Sequence, residues 1–525
     1  MKKVLIILAI LFNGQAMATT FVYCSEGSPS AFNPQVTSDG TSNNASAHTI
    51  FERLVDFKPG TTDLVPALAT SWTISKNKMV YNFVIRKGVE FHKTKYFTPT
   101  RKLNADDVLF SFNRMHDKKS NFHQVGGAKY EYYYSMAMEQ IIASMEKVND
   151  FEIKITLSKP NAPFLANLAM SFMSVHSKEY ADTLITQNLK KDIDHKPIGT
   201  GPFVFKKYVK DNIIRYKSHV KYWGPAPHIK KLLFAITPDA SVRVQKLKAG
   251  ECDLISAPPP SDIKSLQKDP QIKVVSQAGM NVGYLAMNTT KKPLNNLKVR
   301  KAISHALNKK SYIKAIFLDN AEVAKNPIPP IMWSYNNNVK DDDYNPKLSK
   351  KLLKEAGFSN GLELELWTLP VSRPYNPNGK KMGELMQAAL AKVGIKIKLI
   401  TYDWPTYLNK SRNGDHSLLQ LGWSGDNGDP DNFLYTLLSC NAVKAGANVA
   451  KWCHKKFDQY VEKAKTLSDK KQRIKLYEKA QVVFKQQVPW VTLAHSKVFR
   501  AMSIKVAGFV IDPLGGDIFK SVIKK

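Results

Sequence analysis

Apolar and polar positions follow two different periods along this chain. Leu232-Leu233-Phe234-Ala235-Ile236 is a short continuous apolar run, and Ile395 to Tyr402 opens with apolar and polar residues in alternation. Both predict β-strands. Val299, Ala302, Ile303, Ala306 and Leu307 fall at i, i+3, i+4, i+7 and i+8, which predicts a helix with one buried stripe. Leu348 to Ala356 predicts a second helix, stopped by Gly357. Such runs alternate throughout, which points to α/β domains built on sheets. Breaks rich in Pro, Gly, Asn or Asp fall at 257–262, 340–346 and 374–379, and no fixed-period repeat or low-complexity tract interrupts the pattern.

The N-terminus departs from this pattern. Lys2 and Lys3 precede an apolar run from Val4 to Phe12, and Ala16-Met17-Ala18 follows. A basic start, a short apolar stretch and an A-x-A exit predict a secretory signal peptide over 1–18, cleaved after Ala18. The run is too short for a hydrocarbon core that needs about 20 residues. Cys24 lacks the small preceding residue of a lipoprotein signal, so a soluble mature chain from Thr19 is expected.

Length and composition then set bounds. The 525 residues allow two to four domains, and 43% hydrophobic content excludes a disordered chain. Lys and Arg number 77 against 44 Asp and Glu, a formal charge of +33, of which Lys2 and Lys3 leave with the signal peptide. The remaining excess is spread in doublets such as Lys118-Lys119, Lys230-Lys231 and Lys455-Lys456, with no long basic tract. It reads mainly as surface composition. Export makes the four cysteines candidates for disulfides, with three pairings open. Cys440 and Cys453 flank the flexible Lys444-Ala445-Gly446-Ala447, which favours Cys440–Cys453 and leaves Cys24–Cys252. A zinc site at Trp452-Cys453-His454 lacks a partner motif at ligand spacing.

The search for catalytic and cofactor chemistry is mostly negative. Gly199-Thr200-Gly201 begins like a dinucleotide loop, but Val204 stands where the third glycine is needed. Gly422-Trp423-Ser424-Gly425-Asp426 resembles a nucleophile elbow with Asp426 in place of the final glycine. The following Asn427-Gly428-Asp429-Pro430-Asp431 lacks two of three side-chain ligands of a calcium loop. No Walker loop, no H-E-x-x-H and no nucleic-acid motif is present. An enzyme, a metal, a cofactor and a nucleic-acid partner are therefore not expected.

Several segments read together carry a resemblance. They are Ile198 to Phe203 (IGTGPF), Tyr222-Trp223-Gly224, Thr237 to Ser241 (TPDAS), Asn281 to Leu285 (NVGYL), Lys298 to Ala302 (KVRKA) and Leu352 to Gly357 (LLKEAG). Together they resemble the family 5 extracytoplasmic solute-binding proteins that serve peptide ABC importers. Tyr23 to Pro29, Arg373 to Pro377 and Gly422 to Phe433 resemble, more narrowly, the dipeptide-binding members of Gram-negative bacteria. The cysteines also match in place, which supports the two disulfides.

The resemblance implies an α/β, two-lobed periplasmic binding protein, a type II Venus-flytrap clamp with an extra inserted subdomain. Lobe I is expected from 19–52, 190–279 and 494–525, the subdomain from 53–189, and lobe II from 280–493, with crossovers near Gly279 to Gly283 and Val488 to Ser496. It implies a monomer in the periplasm that passes dipeptides to an inner-membrane ABC permease with its ATPase subunits. A free dipeptide carries an ammonium and a carboxylate, and burying both calls for one acid and one base. By resemblance these are Asp426 and Arg373, the latter able to grip a carboxylate with a planar fork. Trp423 and Tyr375 are expected to wall a ligand side chain, and Ser424, Gly425 and Ser38 to line the site. Ser38 stands where dipeptide binders carry Thr. Gly425 and Gly428 are expected to permit special backbone angles and close approach to ligand. Without the resemblance, a Gly/Asp/Pro-rich segment is a surface turn. Alternatives are haem, longer peptides or antimicrobial peptides on the same fold, a basic envelope-binding protein, and an exported hydrolase.

Overall fold

The computed structural model describes residues 20–127 and 129–525, so the signal-peptide expectation lies outside the described residues. A mixed sheet of 12 strands runs through the molecule. In its first half, Thr20–Ser25 lies parallel to both Lys231–Ile236 and Leu254–Ser256, and the hairpin Phe203–Val209 and Ile213–Ser218 extends the edge. In its second half, Asn281–Met287 runs antiparallel to Leu418–Ser424, while Leu362–Trp367 lies parallel to Ile395–Ile400. Phe21, Tyr23, Phe234 and Leu254 pack the first half, and Leu285, Ile303, Leu366, Met386 and Ile397 pack the second.

One strand belongs to both halves. Trp490–Ser503 pairs with Asn281–Met287 and Ala321–Val323 through its first part, then with Leu254–Ser256 and Ile272–Ala278 from Lys497 onward. The chain crosses between halves at two adjacent places, Gly279-Met280 and Ser496-Lys497. Asn281 binds them together: its Nδ2 donates to Ser496 O (3.0 Å), and its Oδ1 accepts from Ser496 N (3.0 Å). Gly279 also donates to Ser496 O, and a Cβ there would approach that oxygen to 2.5 Å.

A separate four-stranded antiparallel sheet has the order Ala69–Ile74, Val80–Ile85, Glu152–Leu157, Ile142–Asn149. The helix Ala105–His116 accompanies it, started by a capping box between Asn104 and Asp107. Its buried Val108, Phe112 and Met115 belong to a core that continues into the second half through Tyr284, Phe433 and Trp490.

The periodic segments form the expected elements. The helices are Leu297–Ala306 and Pro346–Glu355, capped by Asn296 and Asn345, and Gly357 takes a φ of 90° just beyond the second. The strand expected to reach Tyr402 ends at Ile400. Asp403 there caps the helix Trp404–Asn413 through Thr406 N, and Tyr402 turns its ring onto Trp367. Both disulfides form, Cys24–Cys252 and Cys440–Cys453, with Cα separations of 5.8 and 4.5 Å. Among the described residues, no helix is long and apolar enough to cross a membrane.

The Asn281 clamp gives a first prediction. Asn281→Ala removes a partner from the buried Ser496 N–H, so it should cost about 2 kcal/mol and lower the urea midpoint. An unchanged midpoint would contradict the role assigned to this side chain.

Candidate functional site

A cavity of about 200 Å³ is walled by residues from both halves of the sheet, from segments at 53–61, 131–132 and 169–171, and from the C-terminal tail. Its position follows from strand direction. Glu26 and Ser256 stand at the carboxyl ends of two parallel strands, Thr20–Ser25 and Leu254–Ser256. Arg373 and Ser424 lie at or beyond the ends of Leu362–Trp367 and Leu418–Ser424, also parallel to each other. The carboxyl edge of a parallel sheet is where a crevice opens in such folds.

The loop after Leu418–Ser424 holds three aspartates with different surroundings. Asp429 pairs with Arg473 at 2.7 Å, and Asp431 lies 3.8 Å from Lys465. Both serve the loop itself, since Asp429 Oδ1 also accepts from Asp431 N. Asp426 faces the cavity instead, and no Lys, Arg or His among the described residues lies within ion-pair distance of it. Its carboxylate accepts from the Tyr132 hydroxyl (2.8 Å) and more distantly from Asn432 Nδ2 (3.4 Å). Burial pushes it up to about 7, against those two hydrogen bonds, and repulsion from Glu131 and Asp512 adds to the rise. The geometry therefore leaves one carboxylate ready for a cation that the described residues do not supply.

Arg373 is placed by a close backbone approach. Gly283 and Gly422 are opposite one another in the sheet, and a Cβ on either would strike Tyr375, at 2.3 Å from its carbonyl oxygen or 2.2 Å from its ring. The loop carrying Arg373 and Tyr375 thus lies flat on a glycine pair. Arg373 Nη1 contacts Glu26 Oε1 at 2.6 Å, and Nη2 donates to Thr41 Oγ1 at 3.1 Å. Its guanidinium lies 5.0 Å from the Trp404 ring centroid. Glu26 is held by Thr41 and by Ser256 Oγ (2.8 Å). Burial alone would raise its carboxyl; Arg373 and the Thr41 hydroxyl outweigh that and hold it down at about 2.

The remaining expected residues divide. Trp423 lines the cavity, donates its indole N–H to Asn432 Oδ1 (3.0 Å) and meets Tyr132 edge to face. Tyr375 and Ser424 line it as well. Ser38 reaches the wall, but its hydroxyl donates to Glu131 Oε2 (2.6 Å) and accepts from Arg412 Nη2 (2.9 Å). Arg412 and Glu131 are themselves an ion pair. Gly425 is not among the lining residues: it sits behind the wall, where its N–H donates to Met280 O and a Cβ would crowd Met280 and Phe433. The special angles expected at Gly425 and Gly428 are corrected too. Neither has positive φ, and both are required by packing, Gly428 against Thr62.

Comparison with known proteins places this geometry. The model of the bacterial extracellular solute-binding proteins, family 5 (middle region), matches residues 63–445. The chain belongs to this family. It is 46% identical over 522 residues to the dipeptide-binding protein of Escherichia coli K12, covering 99% of this chain and 98% of that one. It is 45% identical over 503 residues to heme-binding protein A of Haemophilus influenzae, covering 96% and 92%. Among solved structures, the dipeptide-binding protein of Pseudoalteromonas sp. SM9913 in complex with Met-Leu superposes with a TM-score of 0.94 at 38% identity, covering 97% of this chain and all of that one. A periplasmic binding protein associated with an ABC transporter of Helicobacter pylori, bound to the peptide STSA, gives 0.93 at 40% identity, covering 96% and 98%. The fold is the two-lobed α/β clamp of these family 5 proteins.

Sequence reasoning did not single out Glu26, Tyr132, Glu131 or Arg412. Glu26 carried one usable signal, its place directly after a strand whose carboxyl end meets the crevice. Tyr132 and Glu131 lie in the short helix Glu131–Ser135 with no such cue.

The glycine platform predicts that Gly422→Ala displaces the Tyr375 ring and, with it, Arg373. Ligand affinity should fall about tenfold or more while the thermal midpoint moves by only a few degrees. Wild-type affinity would show that the platform does not set the position of Arg373.

Proposed function

We propose that this chain is a periplasmic receptor that captures dipeptides and delivers them to an inner-membrane ABC permease and its ATPase subunits. The observation that carries the reading is the unpaired Asp426 carboxylate in the same small cavity as Arg373. A dipeptide brings the missing cation as its ammonium, and its carboxylate goes toward the guanidinium. Trp423, Tyr375 and Ser424 line the space in which the side chains lie. Lobe I takes 19–52, 190–279 and 494–525, the subdomain 53–189 and lobe II 280–493. Closure is a hinge motion at the two adjacent crossovers that Asn281 ties together.

A haem-binding relative is nearly as identical as the dipeptide-binding one, but di/tripeptide-binding proteins predominate among the relatives and the two superposed structures hold peptides, which favours peptide cargo. Charge points the same way. Seven carboxylates against five Lys or Arg side chains wall the cavity, so the balance there is opposite to that of the whole chain. A haem with two propionates would add anions to such a wall, whereas an ammonium satisfies Asp426. The relatives are binding proteins, and a receptor role needs no catalytic group.

Isothermal titration with a small dipeptide panel tests the proposal, and absence of binding to every member would sink it. Asp426→Asn should weaken capture roughly hundredfold or more, because the ammonium is left buried without its partner. Affinity should also depend on pH in a defined direction. Below about 7, Asp426 in the free protein takes up a proton that must leave before the ammonium can pair, so affinity should fall as pH drops. Above roughly 8 the peptide amine loses its own proton, so affinity should fall again. A flat profile from pH 5 to 9 would contradict the assignment.

A further inference from the structure

The Asp426 end of the cavity holds a second acid without a cation. Asp512, in the C-terminal tail, lines the cavity, is 8% exposed, and has no Lys, Arg or His within ion-pair distance among the described residues. Its two oxygens accept from Leu514 N (3.0 Å) and Gly516 N (3.2 Å), which leaves roughly half of its acceptor positions open. Burial raises it to about 6. The charges that act on it most, Asp517 and Arg500, are matched one to one in an ion pair of 2.5 Å.

Two further polar side chains belong to this stretch of wall. The helix Gly40–Ala45 abuts the tail, where Asn44 Nδ2 donates to Asp517 Oδ2 (3.1 Å) and Asp517 N donates to Asn44 Oδ1 (2.9 Å). That contact brings Asn43 and His48 into the cavity lining beside the tail. Asn43 is 8% exposed, and its Oδ1 has no hydrogen-bond partner among the described residues. His48 Nε2 and Asp512 Oδ2 flank Gly516, where a Cβ would come within 3.0 and 2.7 Å of them. Burial, helped by Arg53, holds His48 down at about 4, so it is neutral and one ring nitrogen is an acceptor. Arg53 itself pairs with Asp56 at 2.8 Å, which Lys520 also approaches at 3.7 Å.

This part of the wall therefore offers acceptors and one unmatched negative charge beyond Asp426. An apolar ligand side chain would leave the Asn43 oxygen and the open positions of Asp512 without donors, and an acidic one would meet two carboxylates. A guanidinium or ammonium supplies both the donors and the charge. The ligand's ammonium and its first side chain leave the same carbon, and Asp512 lies close enough to Asp426 to repel its charge. We infer that Asp512, Asn43 and His48 form an acceptor-lined subsite for the side chain of the ligand's first residue, and that it favours arginine or lysine there. This rests on the reading of the cavity as a dipeptide site with Asp426 at the ammonium, and it adds Asp512 as the residue that sets side-chain selectivity.

The test is isothermal titration of the mature wild-type protein at pH 7 with Ala-Ala, Arg-Ala, citrulline-Ala, Ala-Arg and Glu-Ala. Citrulline has nearly the shape of arginine without its charge. Arg-Ala should bind at least about tenfold tighter than both Ala-Ala and citrulline-Ala, and Glu-Ala should be the weakest. Asp512→Asn keeps the size of the side chain and an acceptor for the tail while removing the charge. In that variant the preference for Arg-Ala over citrulline-Ala should shrink by about tenfold. Wild-type binding of Arg-Ala no tighter than that of citrulline-Ala would overturn the subsite while leaving the peptide reading intact. An unchanged ratio in the variant would overturn the role of Asp512. An equal gain for Ala-Arg would overturn the assignment to the first residue. Failure of all five peptides to bind would overturn the peptide reading and this inference with it. Should Asp512→Asn not fold, the wild-type comparison of arginine with citrulline decides alone.

Discussion

An ionised carboxylate enclosed by protein needs either a cation or a proton, and Asp426 is held where the described residues provide no cation within ion-pair distance. Much of the surrounding architecture maintains that condition. Asp429 and Asp431, its neighbours in the loop, are paired with Arg473 and Lys465, so the loop is fixed without drawing on Asp426. Tyr132 and Asn432 orient the carboxylate by neutral hydrogen bonds, which are too weak to keep it ionised against burial. Arg412 stands close by but is committed to Glu131 and Ser38. The arrangement stores an unmet demand for positive charge inside a chain with a formal charge of +33.

The fold delivers residues to this point through sheet direction and two crossovers. Parallel strands in each half bring Glu26, Ser256, Arg373 and Ser424 to facing edges. The shared strand Trp490–Ser503 joins the two halves of the sheet. Gly279 permits close contact at the crossover, and the Gly283–Gly422 pair lets a loop lie on the sheet. Glycine here is demanded by packing at short range rather than by unusual backbone angles.

The elements with strong periodicity were legible from residues alone, because burial of one helix face or one strand face leaves its mark on neighbouring positions. Arg373, Asp426, Trp423 and Tyr375 came from resemblance, and all four wall one cavity. What was not legible depends on contacts distant in sequence. Glu26 and Arg373 are 347 positions apart, and nothing local to either announces the pair. Ser38, expected at the ligand, does reach the cavity wall, but the partners that engage its hydroxyl, Glu131 and Arg412, lie far away in sequence. Gly425 was expected in the wall because its conformation, unlike its composition, cannot be read from the sequence. The charge excess told least: it describes the surface, while the cavity has the opposite balance.

The central claim is that a ligand ammonium replaces a proton on Asp426, and proton counting measures it most directly. Dipeptide titrations at pH 6.5 in buffers of different ionisation enthalpy should show net release of protons on binding, as expected for a carboxyl raised to about 7 in the free protein. Binding with no proton release at that pH would mean that Asp426 is already ionised or does not meet the ammonium, and the account would fail.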